Sequence, residues 1–421
     1  MVDRPGAAEY RQHHGLNSVH RYSAAIHLVW RLGAGVGAGG RGRAAQHRAL
    51  SARRQALGAG GQCARWPTAS SAAYGAAALR SRLGARPGLR LVLCGGGTGG
   101  HVYPLLAVRS VLMEASFLYI GGAGIEKELI ARESVPYQAI SGGGLHGVSI
   151  GSALPNALKL IAGFFQAFSA LRVFRPHAVL ATGGFITVPV ALAAALQRIP
   201  LVVYLPDIEP ALSVRFLGWL ATKVAASVDA SRHYFASHKF VATGYPLRQA
   251  LLLAAQQSQA EARAAFGIAG AERVVLVFGG SRGARNLNRA LVADLERLLP
   301  LAHFIHISGQ GEWDEVRAAR DRLPAALQAC YHVYPYLHGE MGAALRAADL
   351  VVSRSGASTL GELPLFGAPS ILVPYPYAWR YQKVNAEFLA QRGAALIVRD
   401  EDAPRDLSPA VERLLSDDAQ R

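Results

Sequence analysis

Two short apolar runs, each ending at a cluster of glycines, constrain the fold of this chain more than any other feature. Residues 91–94 stop at Gly95, and residues 274–278 stop at Gly279 and Gly280. After each run, stretches with helical periodicity alternate with further short apolar runs. Unbroken apolar runs are typical of strands that are buried on both faces of a parallel sheet. The sequence therefore predicts an α/β fold of two doubly wound halves, each with a glycine-rich loop after its first strand.

The alternation predicts individual elements along the chain. Strands are expected at residues 91–94, 117–120, 178–181, 201–204, 274–278 and 349–352, and helices at residues 103–113, 125–132, 158–174 and 188–197. The turn-forming Gly244-Tyr245-Pro246 separates the halves, which gives domains at 89–245 and 246–421. Parallel sheets of this kind bind ligands at the carboxyl ends of their strands, so two facing halves imply a cleft.

The positive charge of the chain is concentrated in its first 90 residues. The net charge is +16, but residues 1–90 hold 14 arginines, no lysine and only Asp3 and Glu9 as acids. The remainder carries 30 basic and 26 acidic side chains. Residues 1–88 show little apolar periodicity, which predicts an extension without stable order or one added by an upstream start codon, with an Arg-rich transit peptide as the alternative. The excess positive charge lies in this extension and the remainder is only mildly basic, so no nucleic-acid partner is expected.

The first glycine-rich loop, residues 95–100, ends at His101. Glycines let the backbone approach a ligand, and the amides at the start of the following helix bind anionic groups. The spacing differs from the dinucleotide-binding fingerprint, and no acid about 20 residues further on is placed to hold a ribose. His101 is a candidate general base because a neutral imidazole accepts a proton near pH 7. A structural histidine after an ordinary tight turn is the competing interpretation.

Two further segments carry polar groups at predicted strand ends. Residues 279–285 read Gly-Gly-Ser-Arg-Gly-Ala-Arg, which suits either a pyrophosphate or an ordinary glycine-rich turn. Residues 353–362 open a helix with amides and hydroxyls that suit phosphate. Glu362, about two turns into that helix, either accepts both hydroxyls of a ribose or is an exposed helix residue. Gln382 and Asn385 share one helix face, where both amides suit sugar hydroxyls.

Together these motifs resemble one family closely. The matching segments are Gly-Gly-Thr-Gly-Gly-His-Val-Tyr-Pro at 96–104, Thr-Gly-Gly-Phe at 182–185, Gly-Tyr-Pro-Leu-Arg at 244–248, residues 279–284, residues 354–362 and Gln-Lys-Val-Asn-Ala at 382–386. In this order they are similar to the MurG family of UDP-GlcNAc:undecaprenyl-pyrophosphoryl-MurNAc-pentapeptide N-acetylglucosaminyltransferases, in glycosyltransferase family 28. The resemblance runs from about residue 90 to the C-terminus. It implies a GT-B fold, in which two Rossmann-like domains bind the acceptor in the N-terminal half and UDP-GlcNAc in the C-terminal half.

The resemblance also implies a reaction and a role for individual residues. His101 would take the proton from the 4-hydroxyl of the lipid-linked MurNAc acceptor (lipid I), whose oxygen would displace UDP and invert the anomeric carbon of GlcNAc. No cofactor is implied. The acceptor diphosphate and the transferred sugar would lie against Thr98, Gly99 and Gly100. The implied donor-binding residues are Arg248, Ser281, His338, Ala357, Ser358, Thr359, Leu360, Gly361, Glu362, Gln382 and Asn385.

The sequence departs from the family pattern in four places. Many members carry His-Glu-Gln-Asn where this chain reads Tyr-Leu-Pro-Asp at 204–207. Asp207 takes the position of the asparagine, so Asp207, or Glu209 after it, is a second candidate for the base. Trp379 stands where an aspartate is usual, and residues 113–117 form a tight helix-to-strand link. The chain ends at Arg421, about where the family continues into a terminal helical segment, so we expect either weaker domain closure or an incomplete chain.

Bulky apolar residues with flanking bases predict a membrane-facing helix. The candidates for membrane contact are Leu160, Phe164, Phe165 and Phe168, flanked by Lys159, Arg172 and Arg175. Judged from these residues alone, an amphipathic helix packed on its sheet is the favoured interpretation. The lipid acceptor implied by the resemblance instead favours a helix that contacts the membrane surface. No apolar run reaches the roughly 18 to 20 residues of a membrane-spanning helix.

The expected location is therefore peripheral, on the cytoplasmic face of the cell membrane. The three scattered cysteines, Cys63, Cys94 and Cys330, suit a reducing compartment. The expected partners are UDP-GlcNAc, lipid I and an anionic membrane surface, with cell-wall synthesis proteins as further candidates.

Three other functions stay open at this point. Another GT-B glycosyltransferase acting on a glycolipid or an antibiotic would share the donor motifs, although the loop at 96–104 favours a pyrophosphoryl-lipid acceptor. A non-catalytic nucleotide-sugar-binding protein is compatible with the altered residues 204–210, although the retained His101 and Glu362 argue against it. A UDP-GlcNAc epimerase would need a carboxylate and histidine set in the donor cleft, which the sequence does not show.

Overall fold

The computed structural model describes residues 88–97, 99–142, 150–269, 271–280, 284–377 and 381–416. The predictions for residues 1–87, Thr98, Ser281 and Trp379 lie outside the described residues. Within the described part, every strand and helix expected from the sequence overlaps an observed one.

Seven parallel strands form the first sheet, in the order β3-β2-β1-β4-β5-β6-β7. They are β1 (Arg90–Gly95), β2 (Ser116–Gly121), β3 (Tyr137–Ala139), β4 (Ala178–Gly183), β5 (Leu201–Leu205), β6 (Lys223–Ala226) and β7 (Phe240–Ala242). The helices between them are α1 (Gly99–Val111), α2 (Ile125–Arg132), α3 (Ile150–Phe174), α4 (Thr187–Leu196) and α5 (Leu212–Leu220), with a 3₁₀ turn at Asp229–Tyr234.

Six parallel strands form the second sheet, in the order β10-β9-β8-β11-β12-β13. They are β8 (Val274–Phe278), β9 (His303–Ile307), β10 (Tyr331–Tyr334), β11 (Leu350–Ser353), β12 (Ser370–Leu372) and β13 (Ala395–Ile397). The helices are α6 (Gln249–Ala254), α7 (Gln259–Ala264), α8 (Arg285–Ala293), α9 (Leu295–Leu298), α10 (Trp313–Asp321), α11 (Ala325–Gln328), α12 (Met341–Ala347), α13 (Thr359–Phe366), α14 (Tyr381–Ala390) and α15 (Ala403–Ser416), with 3₁₀ turns at Gln310–Glu312 and Asp400–Asp402.

Each sheet is buried on both faces, as its unbroken apolar strands require. In β1, Val92 and Cys94 pack into one hydrophobic cluster, and Leu91 and Leu93 pack into a second cluster on the opposite face. This alternation follows from the two-residue period of a strand. The predicted doubly wound α/β architecture of two Rossmann-like units is confirmed.

The strand order reverses at the two strands that precede the glycine-rich loops. In the first sheet β1 lies between β2 and β4, and in the second sheet β8 lies between β9 and β11. A crevice opens where helices leave such a strand pair toward opposite faces of the sheet. Both glycine-rich loops therefore lie at ligand-binding positions of their sheets.

Helix α3 is longer than the uninterrupted apolar run that it contains. Its segment Asn156–Phe174 is 19 residues long, with a mean hydropathy of 1.4, so by length and composition it could cross a membrane. No uninterrupted apolar run reaches this length, as expected, because Lys159 and Arg172 lie among the apolar residues, but the helix continues through both. Ala167 and Leu171 of this helix are fully buried against the first sheet.

Candidate functional site

A cavity of about 420 Å³ lies between the carboxyl ends of the two sheets. The first half lines it with Gly100, His101, Tyr103 and Asp207. The connecting segment and the second half supply Tyr245, Arg248, Phe278, Gly279, Gly280, Ile307, Gly309, Tyr336, Leu337, Met341, Arg354, Gly356, Ala357, Ser358, Thr359, Glu362, Tyr381 and Gln382. The cavity thus brings both glycine-rich loops and the start of α13 to one place.

The entry to α1 depends on a close approach at Gly95. Thr182 of β4 donates from its hydroxyl to the carbonyl oxygen of His101, at 2.7 Å. A Cβ atom on Gly95 would collide with that hydroxyl and would lie 3.1 Å from the same carbonyl oxygen. Glycine at this position therefore lets β4 hold the first turn of α1, which puts the His101 side chain on the cleft.

His101 and Asp207 influence each other electrostatically inside the cleft. Burial lowers the pKa of His101, and the nearby Asp207 carboxylate partly opposes this. Burial raises the pKa of Asp207, whereas a hydrogen bond from Asn385 and the proximity of His101 lower it. The backbone of Thr182 also raises the pKa of His101, although His101 Nδ1 is buried with no partner at hydrogen-bond distance among the described residues. The site therefore pairs an imidazole that burial keeps neutral with a carboxyl group whose pKa is raised by burial and lowered by its neighbours.

Glu362 lines the other end of the cavity, near the guanidinium of Arg248. Burial raises the pKa of the Glu362 carboxyl, while the Arg248 guanidinium and a hydrogen bond from Ser358 lower it. Glu362 lies in the first turn of α13, where Gly361 allows close packing because a Cβ there would lie 2.6 Å from Tyr245 Cβ. This geometry offers a carboxylate acceptor next to a helix N-terminus that favours anions.

The structure brings together most, but not all, of the site residues expected from the sequence. Those that line the cavity are Gly100, His101, Asp207, Arg248, Ala357, Ser358, Thr359, Glu362 and Gln382. Gly99, His338, Leu360, Gly361 and Asn385 lie near it but do not line it. His338 is exposed and packs on the Tyr336 ring, with 4.5 Å between the ring centroids. Their binding roles stay predictions.

Arg354 is a cavity residue that the sequence reasoning did not single out. Its side chain is nearly buried and forms an ion pair with Asp400, with 2.5 Å between Nη1 and Oδ1. Asn286 Nδ2 donates to the other Asp400 oxygen at 2.7 Å, and Arg354 Nη1 donates to the Val373 carbonyl at 3.0 Å. The segment at 353–362 contained this arginine, but its counterion lies almost 50 residues further on, out of reach of a local pattern.

Two tyrosines also join the halves across the cleft. The hydroxyls of Tyr103 in α1 and Tyr336 after β10 lie 3.2 Å apart. The Arg248 guanidinium lies over the Tyr103 ring, 4.7 Å from its centroid. Burial and the hydrogen bond with Tyr336 raise the pKa of Tyr103 to about 12, so its phenol stays neutral near pH 7. These contacts bring Tyr103 and Arg248 together on one wall of the cavity.

A second cavity, of about 690 Å³, lies in the first half alone. Its lining includes Gly96, Gly97, Glu126, Lys159 and Phe185. The buried Glu126 carboxylate accepts hydrogen bonds from the amides of Gly97, at 3.3 Å, and Gly122, at 3.1 Å. The Glu126 carboxylate thus already binds one amide of the loop at residues 95–100, which the sequence predicted to bind an anionic ligand.

Comparisons with known proteins agree with this architecture. Residues 91–226 match the glycosyltransferase family 28 N-terminal domain, and residues 274–421 match the family 28 C-terminal domain. The UDP-N-acetylglucosamine–N-acetylmuramyl-(pentapeptide) pyrophosphoryl-undecaprenol N-acetylglucosamine transferase of Roseiflexus sp. (strain RS-1) is 41% identical over 372 residues, which cover 75% of this chain and 84% of the relative.

Two solved structures extend the comparison. The crystal structure of Acinetobacter baumannii MurG aligns with a TM-score of 0.59 and 26% identity, covering 78% of this chain and 92% of that chain. A UDP-GlcNAc 2-epimerase from Neisseria meningitidis aligns with a TM-score of 0.55 at 15% identity, covering 77% of this chain and 91% of that chain. The second likeness shows the fold alone.

Two facing Rossmann-like units with a lined cleft between them define a glycosyltransferase of the GT-B class. The chain belongs to the MurG family within glycosyltransferase family 28.

Proposed function

We propose that the chain transfers GlcNAc from UDP-GlcNAc to the 4-hydroxyl of lipid I, with inversion at the anomeric carbon. One observation carries the proposal: a single cavity is lined by His101 and Asp207 from one half and by the first turn of α13, with Glu362, from the other half. The names of the relatives supply the substrates. Residues 89–245 would then form the acceptor domain and residues 246–421 the donor domain.

The proposed reaction is a single displacement. The imidazole of His101 removes the proton of the acceptor hydroxyl, the oxygen bonds to the anomeric carbon of GlcNAc, and the bond from that carbon to the UDP oxygen breaks with its electron pair. A neutral imidazole is required for the first step, and the burial that lowers the pKa of His101 favours it. Charge that develops on the leaving diphosphate is stabilised by the amides at the start of α13 and by the Arg354 guanidinium.

The donor would lie along the second sheet. Glu362 would accept the ribose hydroxyls, the backbone at Ala357, Ser358 and Thr359 would hold the pyrophosphate, and Gln382 would contact the GlcNAc hydroxyls. Arg248 would neutralise the donor from the connecting segment. The support is that each of these residues lines the same cavity. Ser281, outside the described residues, is proposed as a further pyrophosphate contact, with the uracil near Leu337 and His338.

The acceptor would approach from the first half and from a membrane surface. The second cavity opens beside α3, because Lys159 of that helix helps to line it. On the same helix Leu158, Ile161 and Phe165 are exposed. Of the residues predicted to contact the membrane, Phe165 is exposed, whereas Leu160, Phe164 and Phe168 are half-buried. We therefore propose a peripheral location on the cytoplasmic membrane face, where an exposed apolar ridge lies next to a lysine.

The direct test is UDP release from UDP-GlcNAc with and without a short-chain lipid I analogue. We expect release that depends on the analogue, together with a product that is heavier by one GlcNAc residue. Tight UDP-GlcNAc binding without any release would instead support a non-catalytic binding protein. Release of UDP with an unrelated glycolipid acceptor, and none with the analogue, would point to another GT-B glycosyltransferase.

Replacing Glu362 with alanine should weaken the binding of both UDP-GlcNAc and UDP, because both carry the ribose. Hydrogen bonds to a charged group contribute about 1.5 to 3 kcal/mol, so the dissociation constants should rise about tenfold or more. Isothermal calorimetry measures the effect, with Glu128→Ala on the exposed surface of α2 as the control. Unchanged affinity for both ligands in Glu362→Ala would place the ribose elsewhere.

Replacing both Ile161 and Phe165 with serine should reduce binding to anionic vesicles. These side chains are 54% and 64% exposed, and full burial of such a side chain contributes about 1.5 to 3 kcal/mol. Sedimentation with phosphatidylglycerol vesicles should therefore show at least a tenfold weaker association. Leu301→Ser, which removes an apolar side chain that is 45% exposed on the second half, is the matched control. Equal loss in both proteins would show that α3 is not the contact surface.

A further inference from the structure

The segment that carries Asp207 is held by side chains from both halves of the molecule. From the first half, the hydroxyls of Ser227 and Ser231 donate to the carbonyl oxygens of Pro206 and Ile208, each at 2.7 Å. From the second half, Asn385 of α14 reaches across. Its Nδ2 donates to Asp207 Oδ1 at 2.8 Å, and its Oδ1 accepts from the Ile208 amide at 3.2 Å.

The hydrogen-bonding groups of the Asn385 side-chain amide are almost all used by contacts within the protein. A primary amide has two N–H donors and one oxygen acceptor. The second N–H group of Asn385 donates to the Ser355 carbonyl oxygen at 3.2 Å, so donors and acceptor all have protein partners. The side chain is fully buried and does not line the cavity, whereas Asp207 does. A sugar hydroxyl could reach Asn385 only by breaking a contact that joins the two halves.

We propose that Asn385 is a positioning residue, whose hydrogen bond across the cleft aims the Asp207 carboxylate at the donor sugar, and that Asp207 rather than Asn385 contacts that sugar. This inference rests on the proposed function, in which the cavity holds UDP-GlcNAc. An ionised acceptor makes a stronger hydrogen bond to an amide than a neutral one does. The aspartate at position 207 therefore makes this bond stronger than the asparagine expected from the resemblance would.

The arrangement links sugar binding to the closed position of the two halves. Asp207 belongs to the first half and Asn385 to the second, so the bond between them exists only while the two halves lie as close as they do here, an arrangement that we call the closed form. A donor with its sugar in place would gain the Asp207 contact in the closed form alone. The affinity for UDP, which lacks the sugar, should not depend on the bond between Asn385 and Asp207.

A double-mutant cycle in calorimetric affinity tests the proposal. The proteins are the full chain, Asn385→Ser, Asp207→Ala and the double variant, each titrated with UDP-GlcNAc and with UDP. We expect each single variant to bind UDP-GlcNAc about ten- to a hundredfold more weakly, because a hydrogen bond to a charged group is lost. In the Asp207→Ala background, Asn385→Ser should have almost no further effect. Lys383→Ala, on the exposed side of α14, is the control and should bind as the full chain does.

Two results would overturn the proposal. Equal losses from Asn385→Ser in both backgrounds would mean that Asn385 contacts the sugar independently. An equal weakening of UDP and UDP-GlcNAc by Asn385→Ser would mean that Asn385 only maintains the fold. If Asp207→Ala does not fold, Asp207→Asn, which keeps an oxygen acceptor for Asn385, should retain most of the affinity for UDP-GlcNAc, and a loss of UDP-GlcNAc affinity as large as that of Asn385→Ser would contradict the proposal. The titrations need no turnover. A coupled cycle in a protein that transfers no GlcNAc to the lipid I analogue would therefore reject the proposed function and leave this inference standing.

Discussion

Replacement of His101 by alanine should lower turnover by about a hundred- to ten-thousandfold, the range that a general base contributes, with UDP affinity nearly unchanged. The imidazole lies on the cavity wall opposite the proposed nucleotide site, and burial lowers its pKa so that it is neutral near pH 7. Steady-state kinetics with UDP-GlcNAc and a lipid I analogue, alongside calorimetric titration with UDP, separate the two quantities.

The pH dependence distinguishes His101 from the carboxylates as the base. An imidazole base is active when neutral, so the rate should fall as the pH drops through its lowered pKa. The Asp207 carboxylate raises that pKa. Asp207→Asn should therefore shift the acidic limb of the pH–rate profile to lower pH without abolishing it. Glu209→Gln, a partner of Arg215 at 3.9 Å, should leave the limb in place.

A different outcome would assign the base to Asp207. Burial raises the pKa of this carboxyl, which makes a carboxylate a stronger proton acceptor. If His101→Ala keeps near-full turnover while Asp207→Asn removes the acidic limb, Asp207 is the base and His101 only orients the acceptor.

The sequence predicted the parts of the fold that depend on local patterns. Runs such as residues 91–94 and 274–278 are apolar throughout, and this is required of a strand covered on both faces. Seven strands were not predicted individually: β3, β6, β7, β9, β10, β12 and β13. Four of them, β3, β7, β12 and β13, have only three residues each, too few to show a periodicity. Helix α3 was expected from residue 158 but begins at Ile150.

The candidate site was predictable where a motif and a strand end coincide. His101 and Glu362 each follow a glycine-rich or hydroxyl-rich loop after a buried strand, and both line the cavity. Asn385 shares a helix face with Gln382, yet one side chain is buried between the halves and the other lines the cavity. Helical spacing fixes a shared face but not which partner covers it, since that depends on the Asp207 segment of the other half. The contacts of Arg354 with Asp400 and of Tyr103 with Tyr336 could not be predicted either, because the partners are far apart in the sequence and meet only in the folded chain.

Replacement of Asp400 by alanine should destabilise the second half strongly. The carboxylate pairs with a nearly buried Arg354 and accepts from Asn286. Removing one partner of a buried ion pair leaves the other charge uncompensated, which costs about 3 to 5 kcal/mol. Denaturant titration followed by circular dichroism should show this as a lower midpoint for unfolding. Glu315→Ala breaks the exposed ion pair with Arg289 and should leave the midpoint nearly unchanged, because exposed pairs contribute little.

The paired substitution Arg354→Met with Asp400→Leu separates the stability of this ion pair from its role in binding. Replacing both charges with apolar side chains removes the uncompensated cation, so the midpoint should recover toward that of the full chain. Affinity for UDP should nevertheless stay low, because the cavity loses the Arg354 guanidinium that we propose faces the diphosphate. Recovery of both stability and UDP affinity would limit Arg354 to a structural role. A midpoint in Asp400→Ala equal to that of Glu315→Ala would show that the pair does not stabilise the second half.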